Sequence, residues 1–203
     1  MEYVTDYIFP TAVVYTKEPR PVSEDEFNFV KTCADDVFYN KANCFSKNTY
    51  VLNAPELKDL REFILSSIKI YVDTIINPKE NVDFYITQSW INYTNIGGNH
   101  HIHNHPNSII SGVYYFNANP DVDKIKFHKQ SYEQIFILPK EYKKFNCNDW
   151  WFPVETGKLI MFPSRLHHSV EQVINEETRI SLAFNVFAKG NFGHEHSLTA
   201  LHL

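Results

Sequence analysis

The sequence FYITQSWINY, residues 84–93, is where the apolar residues of this 203-residue chain begin to recur with a period of two. That period is typical of a β-strand, because successive side chains point to opposite faces of the sheet. Four later segments favour strands for the same reason: Ile110 to Phe116, Ile125 to His128, Lys158 to Phe162 and Thr178 to Phe187. Turn-forming clusters separate them at Asn95 to Asn99, Asn117 to Pro120, Glu155 to Gly157 and Asn175 to Glu177. The second half of the chain is therefore predicted to form an antiparallel barrel or jelly roll.

Before residue 84 the pattern predicts a strand, Ile8 to Tyr15, and two helices. Ser23 and Glu26 fit a capping box for the first helix, whose apolar residues recur at helical spacing: Phe27, Val30, Ala34 and Val37. The second helix is expected to start at Asn53 and Pro55 and to end at Asn77-Pro78. Its apolar stripe consists of Leu57, Leu60, Ile64, Ile68, Tyr71 and Ile75. Helices packed on the sheet give an α+β, mainly β fold.

Composition limits the partners and the compartment. The net charge is −5 and the basic residues are scattered, so neither nucleic acid nor an anionic membrane is expected as a partner. No run of about 18 apolar residues predicts a membrane span. The three cysteines form no CxxC pair, which favours reduced, intracellular thiols. Without a secretory signal pattern at its start, the chain is expected to be cytoplasmic.

Histidines cluster in residues 100–105, HHIHNH. Residues i and i+2 of a strand share a face, so either His103 with His105 or His101 with His103 could offer two imidazoles to one ion. A third candidate lies in residues 162–170, FPSRLHHSV. Three imidazoles can bind iron, zinc or copper and leave positions open for substrate and O₂. The competing interpretation is a solvated turn rich in Asn and His.

Arg179 is the second chemical signal. Strand alternation puts Arg179, Ser181 and Ala183 on one face, and an arginine that faces a barrel interior needs an anion to offset its charge. The guanidinium group matches a carboxylate bidentately, so a carboxylate ligand is one partner. An internal salt bridge to Asp or Glu is the alternative.

At these residues the sequence resembles the iron(II)/2-oxoglutarate-dependent oxygenases, and specifically a compact bacterial and phage subgroup. The similarity covers the second half of the chain in order, and it lies in these motifs: Trp90-Ile91-Asn92-Tyr93; Gly97 and His103-Asn104-His105-Pro106; Ser111 to Tyr115; Gly157 to Ser164 with Leu166 and His168; Arg179-Ile180-Ser181; and Phe184-Asn185. The resemblance implies a double-stranded β-helix, a jelly roll, as one domain over residues 1–203. Residues 1–80 would supply a strand and helical support, and residues 84–190 the jelly-roll core.

The resemblance also implies a set of site residues. His103, His105 and His168 take the metal positions, with a histidine where the family usually has a carboxylate. Arg179 takes the position that binds the distal carboxylate of 2-oxoglutarate, with Ser181 as its hydroxyl companion and Tyr93 as a co-substrate tyrosine. The expected cofactor is Fe(II), the co-substrates are 2-oxoglutarate and O₂, and ascorbate is an optional reductant. The expected reaction couples decarboxylation of 2-oxoglutarate to succinate with hydroxylation of a substrate, by analogy a prolyl side chain.

Two other functions fit part of the pattern. A cupin-type dioxygenase also uses three histidines and needs no 2-oxoglutarate, although Arg179 and Ser181 argue against it. A non-catalytic, metal-binding interaction module is the other alternative. Two aromatic segments, Tyr132 to Phe136 and Trp150 to Phe152, could shape a substrate site, and the apolar N-terminal elements could support a homodimer.

Overall fold

Twelve β-strands and two α-helices form the regular structure of a computed structural model, which describes residues 1–131, 135 and 137–203. The helices are α1 (Glu24–Thr32) and α2 (Lys58–Tyr71). The strands are β1 (Val14–Tyr15), β2 (Val37–Tyr39), β3 (Cys44–Ser46), β4 (Val82–Thr94), β5 (His100–His103), β6 (Ile110–Asn117), β7 (Lys124–His128), β8 (Asp149–Pro153), β9 (Leu159–Pro163), β10 (His168–Val170), β11 (Arg179–Phe192) and β12 (Leu201–His202).

The strands form two antiparallel sheets. The larger sheet has the order β1-β9-β6-β11-β4-β3-β2, with β12 paired to β11, and the smaller has the order β5-β10-β7-β8. Apolar residues of both sheets pack together in one cluster, which includes Ile125 and Phe127 of the small sheet and Ile160 and Phe162 of the large one. Two such sheets face to face are the architecture of a jelly roll, so the predicted fold class is confirmed.

The large sheet has two different faces, because side chains alternate along each strand. Ile91 on β4 and Leu182 on β11 belong to the cluster that also contains Leu60, Ile64 and Ile68 of α2. The apolar stripe of α2 therefore covers one face of the large sheet. Every second residue of β4 and β11 points the other way, toward the small sheet, and this is the face that carries the polar residues of the site.

The first helix begins as its capping box predicts. Ser23 Oγ accepts a hydrogen bond from the Glu26 backbone N–H at 3.2 Å, and Glu26 Oε2 accepts one from the Ser23 N–H at 3.1 Å. Arg20 Nη2 lies 2.7 Å from Glu26 Oε1. Burial alone raises the pKa of Glu26, but the hydrogen bonds from Arg20 and Ser23 outweigh burial and hold that pKa below its ordinary value. The ionised carboxylate thus ties the helix start to the preceding loop.

Several predicted boundaries of the N-terminal elements are wrong. The predicted strand from Ile8 shrinks to Val14–Tyr15, because only these residues pair with β9. The first helix ends at Thr32, and Val37 begins a strand. Asn53 lies in a short 3-10 turn, and α2 begins only at Lys58. Ile75, the last residue of the predicted apolar stripe, is exposed. The wider π turn of Val72–Ile76 shifts the register of the helix before this residue.

The small sheet contains two strands that the alternation pattern did not predict, β8 and β10. Both are short, and β8 contains the aromatic segment Trp150 to Phe152. Among the described residues, no helix is long and apolar enough to cross a membrane.

Candidate metal centre

A β-bulge in β5 sets the direction of its histidines. His168 of β10 pairs with His103, and Val170 pairs with His100. The paired positions are therefore two residues apart on β10 but three residues apart on β5, which means that β5 contains one extra residue. His168 and Val170 share a face because they are two residues apart. The extra residue therefore brings His100 to the same face as His103, and both side chains line one cavity between the sheets. The His101 side chain is exposed.

Three histidines converge in this cavity: His103, His105 and His168. One ring nitrogen of each lies within 4.8 Å of the other two, and within the described part of the chain they form the only such group of His, Cys, Asp or Glu side chains. His105 Nε2 and His168 Nε2 are 3.4 Å apart. His168 is buried, and the other two are half-buried. The donor set fits a divalent transition metal such as iron, zinc or copper.

Backbone carbonyls orient two of these rings. His103 Nδ1 lies 2.8 Å from the His101 carbonyl oxygen, and His168 Nδ1 lies 3.1 Å from that of Leu166. A carbonyl oxygen can only accept, so in the neutral rings Nδ1 carries the hydrogen and the Nε2 lone pair remains for a metal. The His105 ring stacks on Trp90 with centroids 5.8 Å apart. His101 thus contributes its backbone carbonyl to the site, while His103 and His105 contribute their rings.

The cavity holds its histidines in the neutral form that ligates metals. Burial, with a smaller contribution from the neighbouring His103, lowers the pKa of His105 to about 4 and that of His168 to about 2. The pKa of His103 is also lowered, mainly by burial, although its hydrogen bond to the His101 carbonyl acts in the opposite direction. Burial likewise lowers the pKa of His100 to about 3, with His103 and Arg179 among the contributing charges.

Arg179 lines the same cavity at the start of β11. It is 5% exposed, its Nη2 donates to Thr94 Oγ1 at 3.3 Å, and its Nη1 lies 3.6 Å from Asp123 Oδ1. Asp123 is itself 4% exposed, and its Oδ2 accepts a hydrogen bond from the Asn119 N–H at 2.9 Å. The internal salt bridge that was the alternative interpretation of Arg179 is therefore present, and Arg179 also lines the cavity of the histidines. Binding of a carboxylate ligand by Arg179 stays a prediction. These contacts involve two of its five N–H donors, so donors remain for a further carboxylate.

Ser181 lies on the cavity face with Arg179, as strand alternation predicts. On the neighbouring strand, Thr94 pairs with Arg179 and Asn92 pairs with Ser181. These two residues and Trp90 also line the cavity. Tyr115 of β6 contributes a phenol close enough to Arg179 for the guanidinium to act on its pKa, although burial, the larger effect, raises that pKa. Alternation from Trp90 would have identified Asn92 and Thr94 if the pairing of β4 with β11 had been known.

Tyr93, the predicted co-substrate tyrosine, does not line this cavity. Tyr93 pairs with Ile180, so it lies on the face of the large sheet that packs against the helices. Its hydroxyl donates to the Val30 carbonyl of α1 at 2.5 Å, and its ring belongs to the core. Burial raises the pKa of this phenol well above its ordinary value. Tyr93 therefore has a structural role.

We expect Tyr93→Phe to leave the affinity for 2-oxoglutarate within about twofold of wild type and to reduce the free energy of unfolding by about 1 kcal/mol, the contribution of one hydrogen bond. Calorimetric titration and urea denaturation measure the two quantities. Ser181→Ala, a change on the cavity face of the neighbouring strand, is the comparison and should weaken 2-oxoglutarate binding instead. If Tyr93→Phe instead weakened 2-oxoglutarate binding and left the free energy of unfolding unchanged, Tyr93 would be a co-substrate-binding residue.

Of the two aromatic segments predicted to shape a substrate site, the structure describes one in full. Trp150 to Phe152 lies in strand β8, where the Phe152 ring packs against Phe127 with centroids 5.8 Å apart. Trp151 is partly exposed beneath the ammonium group of Lys124. Of the segment Tyr132 to Phe136, only Ile135 is among the described residues.

The chain is similar in fold to several solved structures, each under 25% identical. A prolyl-4-hydroxylase of Pseudomonas putida shares 13% identity with a TM-score of 0.58, over 89% of this chain and 94% of that one. HygX of Streptomyces hygroscopicus, solved with nickel, 2-oxoglutarate and hygromycin B, shares 11% with a TM-score of 0.58, over 87% and 82%. SnoN, an α-ketoglutarate-dependent epimerase of nogalamycin biosynthesis, shares 8% with a TM-score of 0.60, over 87% and 78%.

Sequence comparison matches part of the chain to one family model. No curated protein shows a significant match to the chain. Residues 88–185 match the model of the family described as "Putative 2OG-Fe(II) oxygenase". The matched segment begins in β4 and ends in β11, so it contains the three histidines, Arg179 and Ser181. Over residues 88–185, just under half of its length, the chain is therefore similar to the 2OG-Fe(II) oxygenase family.

Proposed function

We propose that this chain is an Fe(II)/2-oxoglutarate-dependent dioxygenase that couples decarboxylation of 2-oxoglutarate to hydroxylation of a substrate. The supporting observation is that three neutral imidazoles and one buried guanidinium face the same small cavity. Neutral nitrogen donors fit a divalent metal, and a guanidinium with donors to spare fits a dicarboxylate. A closed structural zinc site would need a fourth protein ligand, which argues against the non-catalytic interpretation.

His103, His105 and His168 would hold the metal. Iron(II) at this position would supply the activation of O₂ that amino-acid side chains cannot perform. Because the three ligands are neutral, the protein adds no negative charge to the ion, unlike a ligand set with a carboxylate. The charge would instead come from the co-substrate, which bears two carboxylates. We therefore expect metal and 2-oxoglutarate to bind with positive coupling.

Arg179 and Ser181 would hold the far carboxylate of 2-oxoglutarate. The Thr94 hydroxyl and the Asp123 carboxylate fix the guanidinium from two sides, so its remaining donors are oriented before the ligand arrives. Apolar rings exclude water behind the metal ligands, with Phe162 and Phe127 at centroid distances of 4.6 and 6.3 Å from the His168 ring. Pre-oriented donors in a dry cavity are the protein's contribution to such a reaction.

Hydroxylation, with a prolyl side chain as the substrate by analogy, rests on the resemblance and on a fold shared with a prolyl-4-hydroxylase. An epimerase shares the same fold, so the fold by itself does not determine the substrate or the type of reaction. Ascorbate would act as a reductant that keeps iron in the ferrous form.

The function is tested by incubating the purified protein with Fe(II), 2-oxoglutarate, O₂ and ascorbate and measuring succinate. We expect succinate that requires both Fe(II) and O₂ and that increases with a peptide containing proline. His168→Ala under identical conditions is the control and should form none. Absence of succinate, together with absence of 2-oxoglutarate binding in the presence of Mn(II), would reject the proposal.

Among the described residues no carboxylate joins the histidine cluster, and this also favours a second candidate, a cupin-type dioxygenase that does not use 2-oxoglutarate. The two candidates differ in the role of Arg179. Tight binding of iron without measurable binding of 2-oxoglutarate would favour the cupin-type function.

A further inference from the structure

A fourth imidazole, that of His100, faces the cavity but does not belong to the metal cluster. The bulge in β5 turns it inward beside His103, and the two rings stack with centroids 4.3 Å apart and an interplanar angle of 22°. No ring nitrogen of His100 joins the group in which the three candidate ligands lie within 4.8 Å of one another. The fold thus places a polar ring in the site in addition to the ligands.

The ring nitrogens of His100 have no hydrogen-bond partner among the residues that the structure describes, although the ring lines the cavity. The ring nitrogens are not among the fully buried atoms that lack a partner, so they remain open to water or to a ligand in the cavity. A ligand that binds there can take the place of water as their hydrogen-bond partner. His100 therefore differs from His103 and His168, whose Nδ1 atoms have carbonyl partners.

The position of His100 in the cavity indicates which ligand would form a hydrogen bond with its ring. The ring contacts His103 at the metal end of the cavity, and the positive charge of Arg179 is near enough to lower its pKa. Thr94, Asn92 and Ser181 line the same cavity. A 2-oxo dicarboxylate that reaches from the metal to Arg179 would pass this imidazole.

We propose that His100 is a co-substrate-binding residue whose imidazole N–H donates a hydrogen bond to a carboxylate oxygen of 2-oxoglutarate. This inference rests on the proposed function and adds a residue to it. The neutral ring donates without adding charge to the metal end of the cavity. The bulge supplies the reason for the arrangement, because a regular strand would have pointed His100 and His103 to opposite faces.

The test compares His100→Phe and His100→Gln with wild type in calorimetric titrations of 2-oxoglutarate into protein saturated with Mn(II), without turnover. Phenylalanine keeps a ring against His103 and removes the N–H donor, whereas glutamine restores a donor. His194→Phe, the same substitution in the exposed tail, is the matched control. Affinity for Mn(II) alone is measured for every variant.

We expect His100→Phe to weaken 2-oxoglutarate binding about tenfold or more, as loss of a hydrogen bond to a charged group does. Its Mn(II) affinity should stay within about twofold, and His100→Gln should recover most of the loss. Unchanged 2-oxoglutarate affinity in His100→Phe would overturn the inference, and so would a loss of Mn(II) affinity, which would make His100 a metal ligand. Failure of the wild-type protein to bind 2-oxoglutarate would instead reject the proposed function.

Discussion

Replacing His168 with alanine is expected to reduce the affinity for Mn(II) or Fe(II) by more than two orders of magnitude and to abolish succinate formation. Loss of a residue that merely supports a metal ligand already costs about 10–100-fold. His168 is one of the three convergent donors found in the described part of the chain, and it is the most buried of them, so water replaces it poorly. Metal titration monitored by calorimetry gives the affinity.

The matched control for His168→Ala is His101→Ala. The two residues differ in position, because the His101 ring is exposed and is not one of the convergent donors, although it lies against the His103 ring with centroids 5.3 Å apart. The backbone carbonyl of His101 is the hydrogen-bond partner of His103 Nδ1. That carbonyl survives the substitution, so metal affinity should change by less than about twofold. A large loss in His101→Ala and none in His105→Ala would show that the other histidine pair binds the metal. Circular dichroism of the metal-free variants checks that each one folds.

Replacing Arg179 with methionine is expected to weaken 2-oxoglutarate binding by at least about a hundredfold, because two hydrogen bonds to a carboxylate contribute about 1.5–3 kcal/mol each. The same variant should lose about 3 kcal/mol or more of folding free energy. Asp123 is 4% exposed and would be left as an unpaired buried charge. Calorimetry and urea denaturation measure the two losses.

A double variant separates the two roles of Arg179. In Asp123→Asn with Arg179→Met, neither charge remains, so most of the stability should return while 2-oxoglutarate binding stays weak. Recovery of binding together with stability would mean that Arg179 acts only through the fold. Metal affinity should remain close to that of wild type in both variants, because neither residue belongs to the histidine cluster.

The local sequence pattern predicts the regular structure best where one face of an element is buried. The predicted strand 84–93 lies within β4, and Ile110 to Phe116 lies within β6. Five residues of the predicted stripe of α2, from Leu57 to Tyr71, are buried. Prediction fails at β10, where three residues do not establish a period, and at β8, where no residue is buried.

The sequence alone predicted the period of these elements, two alternative histidine pairs (His103 with His105, or His101 with His103) with a further histidine in residues 162–170, and the common face of Arg179 and Ser181. These properties depend on residue type and on alternation within one strand. The tertiary structure decided which face of β4 meets the cavity, and so placed Thr94 rather than Tyr93 beside Arg179. It also decided the inward turn of His100 and the pairing of Arg179 with Asp123. Strand register, a bulge and a contact between distant residues depend on chain segments that local periodicity does not connect.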